Sequence, residues 1–196
     1  MPKIIGGSLT EHREQTRTRL FEALTALMGE RGFDAITLAD IAQAAGVGRT
    51  AVYNHFADKE SLLLAFIHQT TEDYVAGLEQ TLAGVADPVL QLRTYVRQNA
   101  ARDRSYYPAP GPDLRSMLSK ESAAQLRGHA ELVEGVLRRI LLAGIATGAF
   151  PDQPVEITVP LVNACLNSRA VPGSGPERDV AIAAIEMFVL RAVGAI

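Results

Sequence analysis

Apolar residues recur at helical spacing along nearly the whole chain, and strand-like alternation is almost absent. Leu20, Phe21, Leu24, Leu27 and Met28 form one stripe, which predicts a first helix. Ser8-Leu-Thr-Glu11 has the Ser-x-x-Glu form of a capping box and places its start near Ser8; Arg31-Gly32 places its end. Thr37 is a good N-cap for a short helix from Leu38 to Ala45, closed by Gly46. Helices follow at Arg49–Phe56 and, capped by Asp58, at Lys59–Leu82. Asp87-Pro88 opens another that runs to Arg102, with aspartate as the cap and proline in the first helical position. The run Tyr107-Pro-Ala-Pro-Gly-Pro112 cannot be helical, because proline lacks an N–H and restricts the residue before it. Beyond it the pattern predicts helices at Asp113–Leu118, Lys120–Thr147, Val155–Arg169 and Pro176–Val193. Pro160 should kink the third of these or mark its true start, and Val155–Val159 is the one β-branched cluster. The expected fold class is all-α, with nine helices.

The bulk numbers narrow the function without naming it. A chain of 196 residues, 47% hydrophobic, has enough apolar side chains for a real core in one domain or two small ones. No run of about twenty apolar residues spans a membrane, and the N-terminus lacks the apolar stretch of a signal peptide. A single cysteine, Cys165, excludes an intramolecular disulfide framework and fits a reducing cytoplasm, so a cytoplasmic location is expected. No cluster of His and Cys suggests a metal, no cofactor is implied, and no catalytic residue is proposed. Gly-rich phosphate loops, HExxH, G-x-S-x-G and a nucleophile–base pair are all missing, which argues against an enzyme. Residues 1–60 hold 7 Lys and Arg against 8 Asp and Glu, a net of -1. A nucleic-acid surface there must come from charge segregated onto one face.

The stretch LADIAQAAGVGRTAVYNHF fits two helices joined by a tight turn. Ile41 and Ala45 face inward from the first, Val47 plugs the turn, and Val52 and Phe56 face inward from the second. Ala42 is small where the helices cross, and Gly46 supplies the positive φ of the turn. Pattern alone leaves a plain helical corner and a DNA reader both open. The outward residues favour the reader. Gly48, Arg49 and Thr50 open the helix that would present its first side chains to base edges. Arg49 can take guanine O6 and N7 together, Thr50 a phosphate or a thymine methyl, and Asn54 an adenine. Tyr53 and His55 carry polar tips suited to phosphate, and Thr37 and Lys59 stand at helix starts that favour phosphate. Arg17 and Arg19 can add backbone contacts, with a solvated face as the alternative.

From Arg13 to Leu63 the chain resembles the DNA-binding domain of TetR-family transcriptional regulators, through GFDAITLADIAQAAGVGRTAVYNHFADKESLL. The resemblance places the family's phosphate-contacting threonine, tyrosine, histidine and lysine on Thr37, Tyr53, His55 and Lys59. Gly48 departs from the family pattern, where many relatives have a capping serine. The resemblance implies a helix-turn-helix DNA-binding domain at residues 8–57 and a six-helix ligand-binding and dimerisation domain at 58–196. It also implies a homodimer whose reading domains lie about 34 Å apart on a near-palindromic double-stranded operator. A small-molecule effector would tilt the fourth helix and release the DNA. The expected pocket residues are Phe66, Tyr74, Tyr95, Asn99, Met117, His129 and Asn163. Arg102–Tyr107 would gate the pocket mouth or pair with an acidic ligand; a solvated helix end is the alternative. The eighth helix has one apolar side and the ninth is apolar nearly all round, which points to a dimer interface at Leu161, Cys165, Ile182, Ile185, Phe188 and Val189, with deep burial in a monomer as the alternative. The competing readings are a constitutive DNA-binding protein without ligand and an all-helical enzyme with a vestigial DNA-binding domain.

Overall fold

The computed structural model describes residues 6–101, 118–166, 171 and 174–196. Among the described residues the chain is all-helical: α1 Gly6–Arg31, α2 Leu38–Ala44, α3 Arg49–His55, α4 Lys59–Leu82, α5 Pro88–Ala101, α6 Lys120–Ala146, α7 Val155–Leu166 and α8 Pro176–Ala192. The helix expected at Asp113–Leu118, Leu118 excepted, and the segment Arg102–Tyr107 with its proline run lie outside the described residues.

Most helix ends follow the caps in the sequence. Thr37 and Asp40 close a complete capping box on α2. Asp58 Oδ1 accepts from the Ser61 N–H at 2.7 Å at the start of α4, and Asp87 Oδ1 accepts from the Val89 N–H at 2.9 Å at the start of α5. Two expectations need correcting. Helix α1 is already formed at Gly6, so Ser8 lies within its first turn and is not its cap. Helix α7 runs through Pro160, so the proline does not mark its start. That start is set at Pro154, whose carbonyl accepts from the N–H groups of Ile157 and Thr158, both at 2.9 Å.

The chain divides into two compact units, Met1–Gln69 with Ser105–Leu126, and Thr70–Arg104 with Arg127–Ile196. The first is built on Leu20, Leu24, Ile36, Ile41, Val52, Leu62 and Leu63, all buried. Phe21 packs its ring against Phe56 and Phe66, with centroids 6.1 and 5.4 Å apart. Burying a leucine or isoleucine side chain fully contributes about 1.5–3 kcal/mol, so this small core suffices to hold the short α2 and α3 against α1 and the start of α4.

The second unit is organised by α5 and α8. Leu92, Tyr95 and Val96 recur at i, i+3 and i+4 on α5 and meet Val189 and Leu190 of α8, with Leu137, Ile140 and Leu141 of α6 in the same core. Glu186, buried within α8, is held by Arg97 and by Arg93 at 3.6 Å, both from α5. Burying a carboxylate without such partners is strongly destabilising. Where α6 turns back, Phe150 lies so close to Gly144 that a Cβ at that position would fall inside its ring.

Candidate nucleic-acid interface

Four residues, Ala45–Gly48, join α2 to α3. Gly46 has φ 62°; its N–H donates to the Gln43 carbonyl at 3.1 Å and the Val47 N–H donates to the Ala42 carbonyl at 2.9 Å. These paired bonds satisfy the last carbonyls of α2 and turn the chain sharply, and the left-handed φ favours glycine. Ile41, Ala42, Val52 and Phe56 are buried, while Ala45 and Val47 pack half-buried against the same core. With Val52 and Phe56 turned inward, Arg49, Thr50, Tyr53 and Asn54 are left exposed along α3. The Arg49 guanidinium stands 6.0 Å from the Tyr53 ring, one helical turn on.

Gly48 occupies the N-cap of α3 at φ -61°, ψ 143° and makes no side-chain cap. A Cβ there would meet nothing within 4 Å. Neither backbone conformation nor space demands glycine at this position.

Two of the residues expected to meet phosphate are engaged within the protein. Thr37 is exposed, but its hydroxyl donates to Asp40 Oδ2 at 2.8 Å and accepts from the Asp40 N–H at 3.1 Å. Bonds from the Thr37 backbone and hydroxyl, and then the charge of Arg31, hold the Asp40 carboxyl below its ordinary value. Lys59 calls for a correction. Its ammonium does not project from the start of α4. It donates to the carbonyls of Phe33, Asp34 and Ile36 at 3.1, 3.1 and 3.0 Å and lies 4.7 Å from the Phe33 ring centroid. An ammonium has three donors, and three convergent carbonyls use them all. The side chain fastens α4 to the α1–α2 connection.

A cleft of about 710 Å³ opens between the N-terminal half of α1 and the α2–α3 turn with α3. His12, Arg13, Thr16 and Arg19 form one wall; Gly46, Val47, Gly48, Ala51, Asn54 and His55 form the other. The spacing 12, 16, 19 puts those side chains on one face of α1. Thr16 is buried, with its hydroxyl donating to the His12 carbonyl at 2.8 Å. His55 is half-buried at the edge of this wall. Burial, followed by the charges of Arg13, His12 and Arg17, holds it below the ordinary histidine value. Cations that are dispersed in the sequence thus gather beside α3. The 12, 16, 19 spacing is the sequence signal for this face, but three side chains of such different character form no recognisable stripe.

In the second unit Tyr95 is fully buried and its hydroxyl donates to Asn163 Oδ1 at 3.0 Å, while the Asn99 amide donates to the Tyr95 carbonyl at 2.9 Å. Three of the expected pocket residues therefore come together. Tyr74 packs half-buried on the same core and His129 is half-buried on α6. Phe66 belongs to the core of the first unit, and Met117 lies outside the described residues. Of the expected interface residues, Leu161 and Phe188 are 62% and 58% exposed, and Cys165, Ile182 and Ile185 are half-buried. Val189 is corrected: it is 0% exposed inside its own unit and presents no surface. Ile157, Val180 and Met187 are further exposed apolar side chains on α7 and α8, outside the expected set.

Residues 20–66 match the family described as bacterial regulatory proteins, tetR family. The chain is 31% identical over 152 residues to the transcriptional repressor KstR2 of Rhodococcus jostii, covering 76% of this chain and 74% of that protein. It is 32% identical over 84 residues to the transcriptional activator FasR of Mycolicibacterium smegmatis, and that match covers 43% of this chain but only 38% of FasR. The crystal structure of PfmR, a TetR-family transcriptional regulator from Thermus thermophilus, superposes with a TM-score of 0.73 at 30% identity, over 88% of this chain and 97% of that one. With a helix-turn-helix of this geometry, and with KstR2 and PfmR matched over most of their length, the chain belongs to the TetR family of bacterial transcriptional regulators.

Proposed function

We propose that the chain is a ligand-responsive repressor that binds a near-palindromic duplex operator as a homodimer and is released by a small-molecule effector. It acts in the cytoplasm and catalyses no reaction. The DNA-binding domain is residues 8–57, and residues 58–196 bind the effector and form the dimer. The observation that carries this reading is the α3 surface: Arg49, Thr50, Tyr53 and Asn54 are exposed together, behind a glycine turn whose inner face is fully packed. Arg49 and Asn54 read base edges, and Thr50 and Tyr53 set the register on the backbone. Gly48 lets the DNA approach the start of α3 closely. Thr37, turning its hydroxyl from Asp40 to phosphate, and the backbone N–H groups at the start of α4 complete the phosphate contacts, with the Lys59 ammonium acting as a latch behind them.

Pairing of two chains is supported by the exposed apolar side chains of the last two helices, Ile157 and Leu161 on α7 and Val180, Met187 and Phe188 on α8. Exposed apolar surface of this kind is what an interface between copies would cover. We place the effector site around Tyr95, Asn99 and Asn163, because the buried Tyr95 hydroxyl bonds the Asn163 amide within an apolar core and Asn99 follows one turn along α5. Tyr74 and His129 extend it. Helix α4 carries the effect of ligand to the DNA-binding domain, and a coupling of about 1–3 kcal/mol suffices for a several-fold to hundred-fold change in affinity.

The test is binding to duplex DNA from upstream of the chain's own gene. Tyr53→Phe should weaken binding to all sequences alike. Arg49→Ala should cost about 1–3 kcal/mol and relax the preference at particular base pairs. An Arg49→Ala protein with unaltered sequence preference would remove Arg49 from the reading face.

A further inference from the structure

Helix α6 does not belong to the second unit alone. Its first turns, up to Leu126, fall in the first unit with Ser119 before them, and the rest from Arg127 falls in the second. Helix α4 divides in the same way after Gln69. One carboxylate joins the starts of these two unbroken helices. Glu60, half-buried in the first turn of α4, accepts at Oε2 from the Ser122 hydroxyl at 2.8 Å and from the Ser119 N–H at 3.3 Å. Ser119 caps α6: its hydroxyl oxygen accepts from the Ser122 N–H at 3.2 Å, and its O–H donates to Ser122 Oγ at 2.9 Å. Ser122 is buried within this ring of bonds. Ser119, Ser122 and Leu126 share one face of α6, and Leu126 enters the same core as Leu62, Leu63 and Phe66 of α4. The dipole of α6 further favours a carboxylate at its N-terminus. A second bond between the two helices, from Arg139 to Glu79, is exposed at both partners and contributes little.

We propose that Glu60 is a coupling residue through which α6, alongside α4, passes a conformational change in the second unit to the reading helices. The proposal rests on the reading of the chain as a ligand-responsive DNA-binding regulator, and adds a second carrier of the signal to it. Lys59, the residue beside Glu60, holds the carbonyls of Phe33, Asp34 and Ile36, and Ile36 directly precedes Thr37, the cap of α2. Adjacent residues of α4 thus grip the start of α6 and the entry to α2. A displacement of α6 pulls on Glu60 through the Ser119 and Ser122 bonds, and Lys59 hands it on to α2 and so to α3.

Coupling is reciprocal, so DNA bound at α3 is felt in α6 through the same contact. DNA can therefore serve as the probe, and no effector is needed.

The full chain first selects a duplex from a random-sequence pool, and amide hydrogen exchange is then followed by mass spectrometry with and without that duplex. In the wild type, DNA should slow exchange at residues 127–134 of α6 by about fivefold or more, the low end of a typical coupling. Glu60→Ala should still bind and should keep the DNA-dependent slowing in α2, in α3 and at residues 70–82 of α4, but lose it at 127–134. Ser122→Ala, a smaller change made from the α6 side, should lose most of it there too and serves if Glu60→Ala does not fold. Glu60→Gln should retain it, because the amide oxygen still accepts both bonds. A loss of stability alone would speed exchange throughout the unit and would not sort the helices in this way. Wild-type residues 127–134 indifferent to bound DNA, or a wild-type response there in Glu60→Ala or Ser122→Ala, would overturn the coupling. Failure of the wild type to select any duplex would instead overturn the DNA-binding reading, and this proposal with it.

Discussion

Replacing Lys59 by methionine keeps most of the aliphatic stem over Phe33 and removes the ammonium. Three hydrogen bonds go with it, to the carbonyls of Phe33, Asp34 and Ile36. A bond to a charged group contributes about 1.5–3 kcal/mol by itself, but these three share a single ammonium whose desolvation is counted once. The exposed Asp34 carbonyl turns to water, and the Phe33 carbonyl keeps the Ile36 N–H at 3.2 Å. The main loss is therefore at the part-buried Ile36 carbonyl, plus about 0.5–1 kcal/mol for the cation over the Phe33 ring. The expected destabilisation of the first unit is about 2–3 kcal/mol. Urea unfolding followed by circular dichroism should show its midpoint lowered by about 1 M. Lys59→Arg should recover only part of this, because a planar guanidinium cannot converge on three carbonyls as a tetrahedral ammonium does. Unchanged stability in Lys59→Met, together with a salt slope of DNA binding reduced by about 0.9, would show that the ammonium meets phosphate and would refute the latch.

Gly48→Ser should raise stability by about 0.5–1 kcal/mol in thermal unfolding, by adding a cap to α3 and stiffening the unfolded chain at a position with ordinary φ and open space. Gly144→Ala should destabilise the second unit by about 1–3 kcal/mol despite better helix propensity, because the new methyl displaces Phe150 from the core; adding Phe150→Leu should restore part of the loss in the same unfolding assay. Phe188→Glu places a charge on the exposed apolar face of α8 and should give the monomer mass in sedimentation, whereas an unchanged dimer mass would remove α8 from the interface.

The sequence by itself determined what depends on residues within about one helical turn. Thr37, Asp58 and Asp87 cap helices, and Gly46 turns α2 into α3 through bonds to Gln43 and, via Val47, to Ala42. For the same reason the outward face of α3 was legible: once Val52 and Phe56 point inward, the 3.6-residue period leaves Arg49, Thr50, Tyr53 and Asn54 outside. Contacts between residues far apart in the chain were decided only by tertiary structure. Lys59 looked like a free cation at a helix start until residues 23 to 26 positions earlier brought their carbonyls under it. Helix α8 is apolar on nearly every side, so periodicity could not say which side meets α5; packing put Val189 inside and left its neighbour Phe188 out. His55 and Arg13 share a cleft although forty-odd residues separate them. Caps and turns draw their free energy from neighbours along the chain, whereas a latch, a buried face or a charged cleft draws it from helices whose crossing no local pattern specifies.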